Sequence, residues 1–142
     1  MIKSFFFGAV FTALSLLVTN SLNAQNGNEW RGSVQGSSAQ WISGPYIEAG
    51  TTLTILASGK VCCQASGGKS AYELWKSEDH KCRNASTSHA EGALLINVSG
   101  YGMFKYSEGL TFTMRNSGRL SFIVEDTRYD DNFGSYNVDV SW

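Results

Sequence analysis

The feature that most constrains how this chain can fold is an alternation of apolar and polar residues with a period of two. Every second residue is apolar in five segments, 52–55, 94–98, 110–114, 120–124 and 136–142. Successive side chains of an extended strand point to opposite faces, so this pattern predicts half-buried β-strands. After residue 24 we find no apolar stripe of useful length with the 3.6-residue period of a helix.

Short clusters rich in Gly, Ser and Asn separate these segments and predict turns. They lie at 43–45, 48–50, 66–68, 99–100 and 116–118. Short strands joined in this way predict an all-β protein, specifically an antiparallel β-sandwich of the jelly-roll kind. The segment 62–91 is long, polar and without alternation. Irregular loops on a rigid sheet often carry binding residues, so we expect part of a site there.

The first 24 residues have the pattern of a secretory signal peptide. Lys3 is the only charged residue before Glu29, the run 5–18 is apolar, and Ala24 supplies a small residue at a plausible cleavage point. The run is shorter than the roughly 20 residues that span a bilayer. We therefore expect one exported domain, residues 25–142, in the periplasm, at the cell surface or in the medium. The alternative is a retained N-terminal anchor.

The charge balance argues against nucleic acid as a partner. Lys and Arg number 11 and Asp and Glu number 12, so no basic surplus is present to neutralise a phosphate backbone. Only 16% of the residues are charged, whereas 13% are aromatic. A disordered chain has the opposite composition, which predicts a compact domain.

Three cysteines, Cys62, Cys63 and Cys82, lie in the expected exported part. An oxidising compartment favours a disulfide between Cys82 and one of the adjacent pair. The remaining thiol is either buried within the domain or joins two chains. A zinc site is not expected, because the cysteines lack Cys-x-x-Cys spacing and only His80 and His89 add imidazoles.

The segment 125–132, called here the acidic turn, places four carboxylates and one amide within eight residues. Like charges this close repel each other unless solvent or a cation relieves them. Calcium suits such a turn because it takes six to eight oxygen ligands in a tolerant geometry. The alternative is a solvated acidic turn. The residue order is not that of an EF-hand.

A second group of chemically capable residues lies in the long loop, at Tyr72, Trp75, Asp79, His80 and Cys82. An aromatic ring and an imidazole suit a sugar, whose apolar face packs on a ring while its hydroxyls form hydrogen bonds. Alternatively, Trp75 fills the core and His80 lies at the surface. A catalytic thiolate at Cys82 is not expected, since an exported cysteine near two others favours a disulfide. We therefore do not expect an enzyme.

Four segments in order resemble the calcium-dependent galactose-binding lectins of the PA-I type, which have the LecA-like fold. They are Trp-Arg-Gly-Ser-Val at 30–34, Leu-Thr-Ile-Leu-Ala-Ser-Gly at 53–59, Gly-Ala-Leu-Leu-Ile at 92–96, and the closing motif at 126–138. The resemblance covers nearly all of residues 25–142. It implies a β-sandwich of the galactose-binding-lectin type.

The resemblance also implies a Ca²⁺ site, with side-chain ligands from Asp126, Asp131 and Asn132. Two backbone carbonyls would complete the protein ligands, one from Cys63 and one from Arg128 or Tyr129. The second carbonyl has two candidates because the turn is two residues shorter here than in the lectins. Asp131 stands where the lectins have Asn, which retains an oxygen ligand.

In these lectins two adjacent sugar hydroxyls complete the calcium shell, and a His-Pro-x-Gln loop holds another hydroxyl. The residues implied to bind sugar here are Trp75, His80, Arg83, Asp126, Thr127 and Asp131. His80 is followed by Lys81-Cys82-Arg83, so the Pro is absent and Arg83 stands near the Gln position. The two basic side chains would suit an acidic or sulfated glycan.

The sequence thus predicts an exported, calcium-dependent carbohydrate-binding protein in which calcium bridges vicinal hydroxyls of a galactose-like glycan. Single sites of this kind are weak, so we expect a homo-oligomer, joined through the Trp142 strand or the spare cysteine. The alternative is an exported interaction or structural β-sandwich without a sugar ligand. Its acidic turn would bind calcium only to rigidify the fold, or bind nothing.

Overall fold

The computed structural model describes residues 28–63, 70–76, 82–86 and 91–142. Within these ranges it contains nine strands and one short helix. They are β1 (Glu29–Gln35), β2 (Ile42–Ile47), β3 (Thr52–Cys62), α1 (Ala71–Lys76), β4 (Cys82–Asn84), β5 (Leu94–Val98), β6 (Gly102–Lys105), β7 (Leu110–Thr113), β8 (Gly118–Val124) and β9 (Phe133–Ser141). The expected signal peptide lies outside the described residues. In the described part, no helix has the length and apolar character needed to cross a membrane.

The strands form two antiparallel sheets, which confirms the predicted all-β sandwich. The five-stranded sheet has the order β1-β9-β3-β4, and β7 pairs with the first residues of β3. The four-stranded sheet has the order β2-β8-β5-β6. β9 has neighbours on both sides, β1 and β3, so it presents no open edge to a second copy of the chain.

The core lies between the sheets and contains the apolar residues that the alternation places on one face of each strand. Leu94, Ile96 and Val98 of β5 are buried, as the period of two predicts. Tyr136 and Phe122 are the largest fully buried side chains among the described residues. Trp30 stacks on Phe122, with ring centroids 5.2 Å apart, and so closes the core beside β1.

The prediction of a turn at 43–45 is wrong, because these residues lie inside β2. β2 is an edge strand, and its register with β8 shifts between Ser43 and Tyr46. Proline is tolerated at such an irregularity because its missing N–H breaks no ladder hydrogen bond there. Arg119 of β8 supports the shift by donating a hydrogen bond from Nη1 to the carbonyl of Gly44 at 2.9 Å.

The long loop contains more regular structure than its sequence suggested. The helix α1 begins with a capping box, in which the Ser70 backbone N–H donates to the Glu73 carboxylate at 2.7 Å. The Glu73 N–H donates in return to the Ser70 hydroxyl at 3.3 Å. A six-residue helix is too short for its apolar period to be recognised.

A disulfide between Cys62 and Cys82 joins the end of β3 to β4. Cys63 is a buried free thiol, which matches the first of the two alternatives for the spare cysteine. The disulfide and the β3–β4 pairing hold this part of the loop against the edge of the five-stranded sheet.

Candidate functional site

The acidic turn joins β8 of one sheet to β9 of the other, at one end of the sandwich. Its first residue is held in place by two backbone bonds: Glu125 N–H donates to Ala93 O, and Gly92 N–H donates to Glu125 O, both at 2.8 Å. Asp126 follows, and its Oδ1 accepts hydrogen bonds from the N–H groups of Thr127 at 2.6 Å and Arg128 at 3.1 Å. These contacts fix the position of the Asp126 carboxylate.

Asn132 ends the turn with a buried amide whose orientation is set by two partners. Its Nδ2 donates to Asp126 Oδ2 at 2.8 Å and to the carbonyl of Gly36 at 2.9 Å. The amide therefore ties the turn to the β1–β2 connection. Since both donors are used, the Oδ1 atom points away from these partners, and it is buried without a hydrogen-bond partner among the described residues.

The Oδ1 atom of Asp131 is likewise buried and without a hydrogen-bond partner in the described part of the chain. Buried acceptors without a partner carry a desolvation cost of about 1–3 kcal/mol each, and more when charged. These two oxygens lie on adjacent residues, and a cation would satisfy both acceptors. They are two of the three side chains that the sequence predicted as metal ligands.

Cys63, whose carbonyl is a predicted ligand, lies beside Asp126. Burial, together with the neighbouring Asp126 carboxylate, raises the pKa of its thiol to about 12. Arg83 of β4 packs near the same place, since a Cβ built on Gly92 would lie 3.0 Å from both Arg83 Cγ and Cys63 Sγ. The structure thus brings Cys63, Asp126, Asn132 and Arg83 to one end of the sandwich.

Arg128 points its guanidinium at the acids of the turn. Its Nε lies 2.9 Å from Asp130 Oδ1 and 3.6 Å from Asp131 Oδ2. The hydrogen bond that Arg128 donates to Asp130 lowers the pKa of the Asp130 carboxyl and raises the pKa of the Arg128 guanidinium. The Tyr129 carbonyl accepts the Asn132 N–H at 3.3 Å. The choice between the carbonyls of Arg128 and Tyr129 as a ligand stays open.

The other predicted sugar-binding residues are placed only in part. Thr127 is exposed next to Asp126. Trp75 belongs to α1, but its side chain is outside the described atoms, and Asp79, His80 and Lys81 lie outside the described residues. Cys82 is bonded to Cys62, so within the described part the alternative of a catalytic thiolate at Cys82 loses its nucleophile.

No group of three or more His, Cys, Asp or Glu side chains is placed to hold a metal among the described residues. The predicted calcium ligands do not require one, because only Asp126 and Asp131 are of these types. The remaining predicted donors are the Asn132 amide and two backbone carbonyls. Such an oxygen set with few carboxylates is compatible with calcium, which accepts amide and backbone oxygens.

A cleft of about 750 Å³ lies next to this turn, on the outer face of the five-stranded sheet. We call it the outer cleft. The sequence did not predict it. Seven of the ten residues that line it have polar side chains: Gln35, Ser37, Lys60, Asn84, Asn132, Ser135 and Asn137. Gly59, Phe133 and Gly134 complete the lining.

No protein family and no curated protein matches this sequence. Among solved structures, the EclA N-terminal domain, a PllA-like lectin, is similar with a TM-score of 0.55. The chain shares the fold of that domain. The similarity covers 78% of this chain and 93% of that domain, at 21% sequence identity. It therefore supports the β-sandwich fold, and the ligand and metal have to be argued from the residues.

Proposed function

We propose that this protein is a lectin-type carbohydrate-binding protein whose acidic turn binds Ca²⁺, and that the bound ion contacts vicinal hydroxyls of a sugar. One observation carries the proposal most strongly: Asp131 Oδ1 and Asn132 Oδ1 are buried acceptors without hydrogen-bond partners in the described part, beside Asp126. The lectin-like sandwich supports the assignment to carbohydrate.

The residues present fit the ion. Side-chain oxygens would come from Asp126, Asp131 and Asn132, and backbone oxygens from Cys63 and from Arg128 or Tyr129. Calcium, when bound, would offer open coordination positions that only correctly disposed adjacent hydroxyls can fill. Galactose is the sugar that the resemblance to PA-I type lectins favours.

The chain's own contribution is to fix the Asp126 carboxylate and the Asn132 amide before any ligand arrives, with Nδ2 of the amide turned toward Asp126. The two donated hydrogen bonds of Asn132 set its amide, and the N–H groups of Thr127 and Arg128 set the Asp126 carboxylate. Arg83 adds a cation at the same end of the sandwich, which would favour a glycan carrying carboxylate or sulfate.

The ion pairs of Arg128 favour the alternative, in which the acidic turn of the sandwich holds no metal ion. Its guanidinium already neutralises part of the charge of Asp130 and Asp131. In that alternative the protein would serve as an interaction or structural module, and no sugar would be bound with or without calcium.

The test is retention of the purified domain on immobilised galactose in millimolar calcium and in chelator. We expect retention only with calcium, and loss of retention in Asp126→Asn, which keeps the size of the side chain but removes its charge. Glu108→Gln removes an equivalent charge from an exposed loop and should leave retention unchanged.

Retention of Asp126→Asn equal to that of the parent would remove calcium from the proposal. Absence of retention on galactose, and on a broad glycan array with calcium present, would instead favour the interaction module. Neither result depends on the protein unfolding, provided that far-ultraviolet circular dichroism of the variants matches the parent.

We also propose export, a non-enzymatic function and assembly into homo-oligomers, through a surface other than the internal strand β9 or the buried Cys63 that the sequence had suggested. The Cys62–Cys82 disulfide supports an oxidising compartment. Mass spectrometry of the protein from its native host would identify the first residue after cleavage, expected to be Gln25. Sedimentation of the purified domain would measure its oligomeric state.

A further inference from the structure

The outer cleft is formed by four neighbouring strands that bring polar side chains into one row. Gln35 of β1 is opposite Ser135 of β9, Ser135 is opposite Lys60 of β3, and Lys60 is opposite Asn84 of β4. Directly opposed residues share a face of the sheet, and adjacent strands lie about 4.8 Å apart. The row is therefore about 14 Å long, which is longer than a single hexose ring.

Gly59, which lines the cleft on β3, cannot carry a side chain. Gly59 has a φ of +97°, and a Cβ at this position would lie 2.4 Å from the carbonyl oxygen of Ser135. Any other residue would have to adopt a strained conformation and displace the neighbouring strand. Gly59 therefore contributes only backbone to the lining of the cleft.

The chemistry of the lining suits a ligand rich in hydroxyl groups. Its side chains include the carboxamides of Gln35, Asn84 and Asn137, each of which offers donors and an acceptor, and the hydroxyls of Ser37 and Ser135. Lys60 has the only charged side chain among the described residues of the lining. A single cation is too little for a nucleic-acid backbone.

The outer cleft begins where the proposed calcium site ends. Asn132 lines the cleft and also donates to Asp126 in the acidic turn. The next residue, Phe133, is 37% exposed. The exposed ring of Tyr72 packs edge-on against the Phe133 ring, with the ring centroids 4.8 Å apart. An exposed aromatic ring at this junction is a surface on which the apolar face of a sugar can pack.

We propose that the outer cleft is a second carbohydrate subsite, which binds the further sugar residues of a glycan whose terminal residue is held at the acidic turn. The protein would then recognise an oligosaccharide and not only its terminal sugar. This inference rests on the proposed function, because the first sugar is placed by the calcium site.

The experiment measures dissociation constants by calorimetry, in calcium, for galactose, glucose and mannose and for the corresponding trisaccharides. We expect one trisaccharide to bind at least about tenfold more tightly than its monosaccharide, equal to about 1.4 kcal/mol. This is the net value of one or two hydrogen bonds to the cleft. The variant Gln35→Ala/Asn137→Ala should lose this advantage and keep its affinity for the monosaccharide and for calcium.

Ser141→Ala is the matched control, since Ser141 is exposed on the outer face of β9 but outside the cleft lining. It should keep the trisaccharide advantage. Both mutated residues of the double variant are exposed, so its thermal midpoint should equal that of the parent.

Equal affinity for monosaccharides and trisaccharides in the parent, or an advantage that survives the double variant, would overturn the subsite. Trisaccharide binding that depends on Gln35 and Asn137 but is unchanged in chelator would support the subsite and contradict the calcium bridge. Absence of binding to all six sugars would contradict both proposals.

Discussion

The acidic turn and the outer cleft meet at Asn132 but place their polar atoms under different conditions. In the turn, the buried oxygens of Asp131 and Asn132 have no hydrogen-bond partners in the described part, and carboxylates are concentrated nearby. In the cleft, the polar side chains are mainly neutral, and Gln35, Asn84 and Asn137 are exposed to solvent. Buried acceptors require a specific partner, whereas exposed carboxamides are satisfied by water until a ligand replaces it.

This difference predicts that the turn depends on a cation for stability and that the cleft does not. We expect the thermal midpoint of the protein to rise by several degrees between chelator and calcium at about 100 times its dissociation constant. The corresponding stabilisation is about 2.7 kcal/mol. Differential scanning fluorimetry measures it, and Asp126→Ala should abolish the rise. An unchanged midpoint in the parent would contradict calcium binding.

The second prediction compares one amide from each region in the absence of calcium. Asn132→Ala removes the hydrogen bonds to Gly36 and Asp126 and leaves the buried Gly36 carbonyl without this donor. The free energy of unfolding should fall by about 2 kcal/mol. Asn137→Ala alters only an exposed side chain and should stay within about 0.5 kcal/mol of the parent. Urea unfolding measures both, and equal losses would erase the distinction between the regions.

The third prediction concerns the positively charged side chain of Arg128 in the acidic turn. Arg128→Ala removes the guanidinium that faces Asp130 and Asp131, so calcium should meet less repulsion and less competition. We expect affinity for calcium to rise roughly twofold to fivefold, the usual effect of one exposed charge pair. Calorimetry at low salt measures the change. Lys76→Ala, on an exposed residue of α1, should have no effect, and weaker binding by Arg128→Ala would contradict this role.

The smallest effect is expected at Cys63, which should be inert under ordinary conditions. The thiol is buried and the pKa is raised to about 12, so at pH 8 it stays protonated. Iodoacetamide should label it only after unfolding, with the Cys62–Cys82 bond intact by mass spectrometry. Because the folded pKa is above the ordinary value of 9.0, its contribution to stability is present below pH 9 and is lost as the pH rises toward 12. Rapid labelling of the folded protein at pH 8 would contradict its burial.

Most of the sandwich could be predicted from local patterns. β5 was predicted with its bounds, and β7, β8 and β9 were predicted to within three residues at each end. Only the first four residues of β3 were predicted, because its alternation stops seven residues before the strand ends. β2 was missed because Pro45 and Gly44 are typical of turns, and only pairing with β8 shows that an edge strand with a shifted register tolerates them. The helix α1 was missed because it has only six residues, although Ser70 and Glu73 carry the signature of a capping box.

The two binding regions differ in how much of each could be predicted. The acidic turn is continuous in sequence, so its carboxylates and Asn132 were recognisable before any fold was known. The outer cleft takes Gln35, Lys60, Asn84 and Asn137 from four strands that are distant in the chain. Alternation shows only that such residues face outward, because it carries no information about which strands are neighbours.

The sequence by itself determined the fold class, the inward face of each predicted strand and the concentration of acidic oxygens at one turn. These properties follow from a period of two and from charge, both of which are local. The tertiary structure alone decided the Cys62–Cys82 pairing, the burial of Asp131 Oδ1 and Asn132 Oδ1, and the row of side chains across β1, β9, β3 and β4. Strand order and burial arise from packing between distant segments, and local patterns do not specify them.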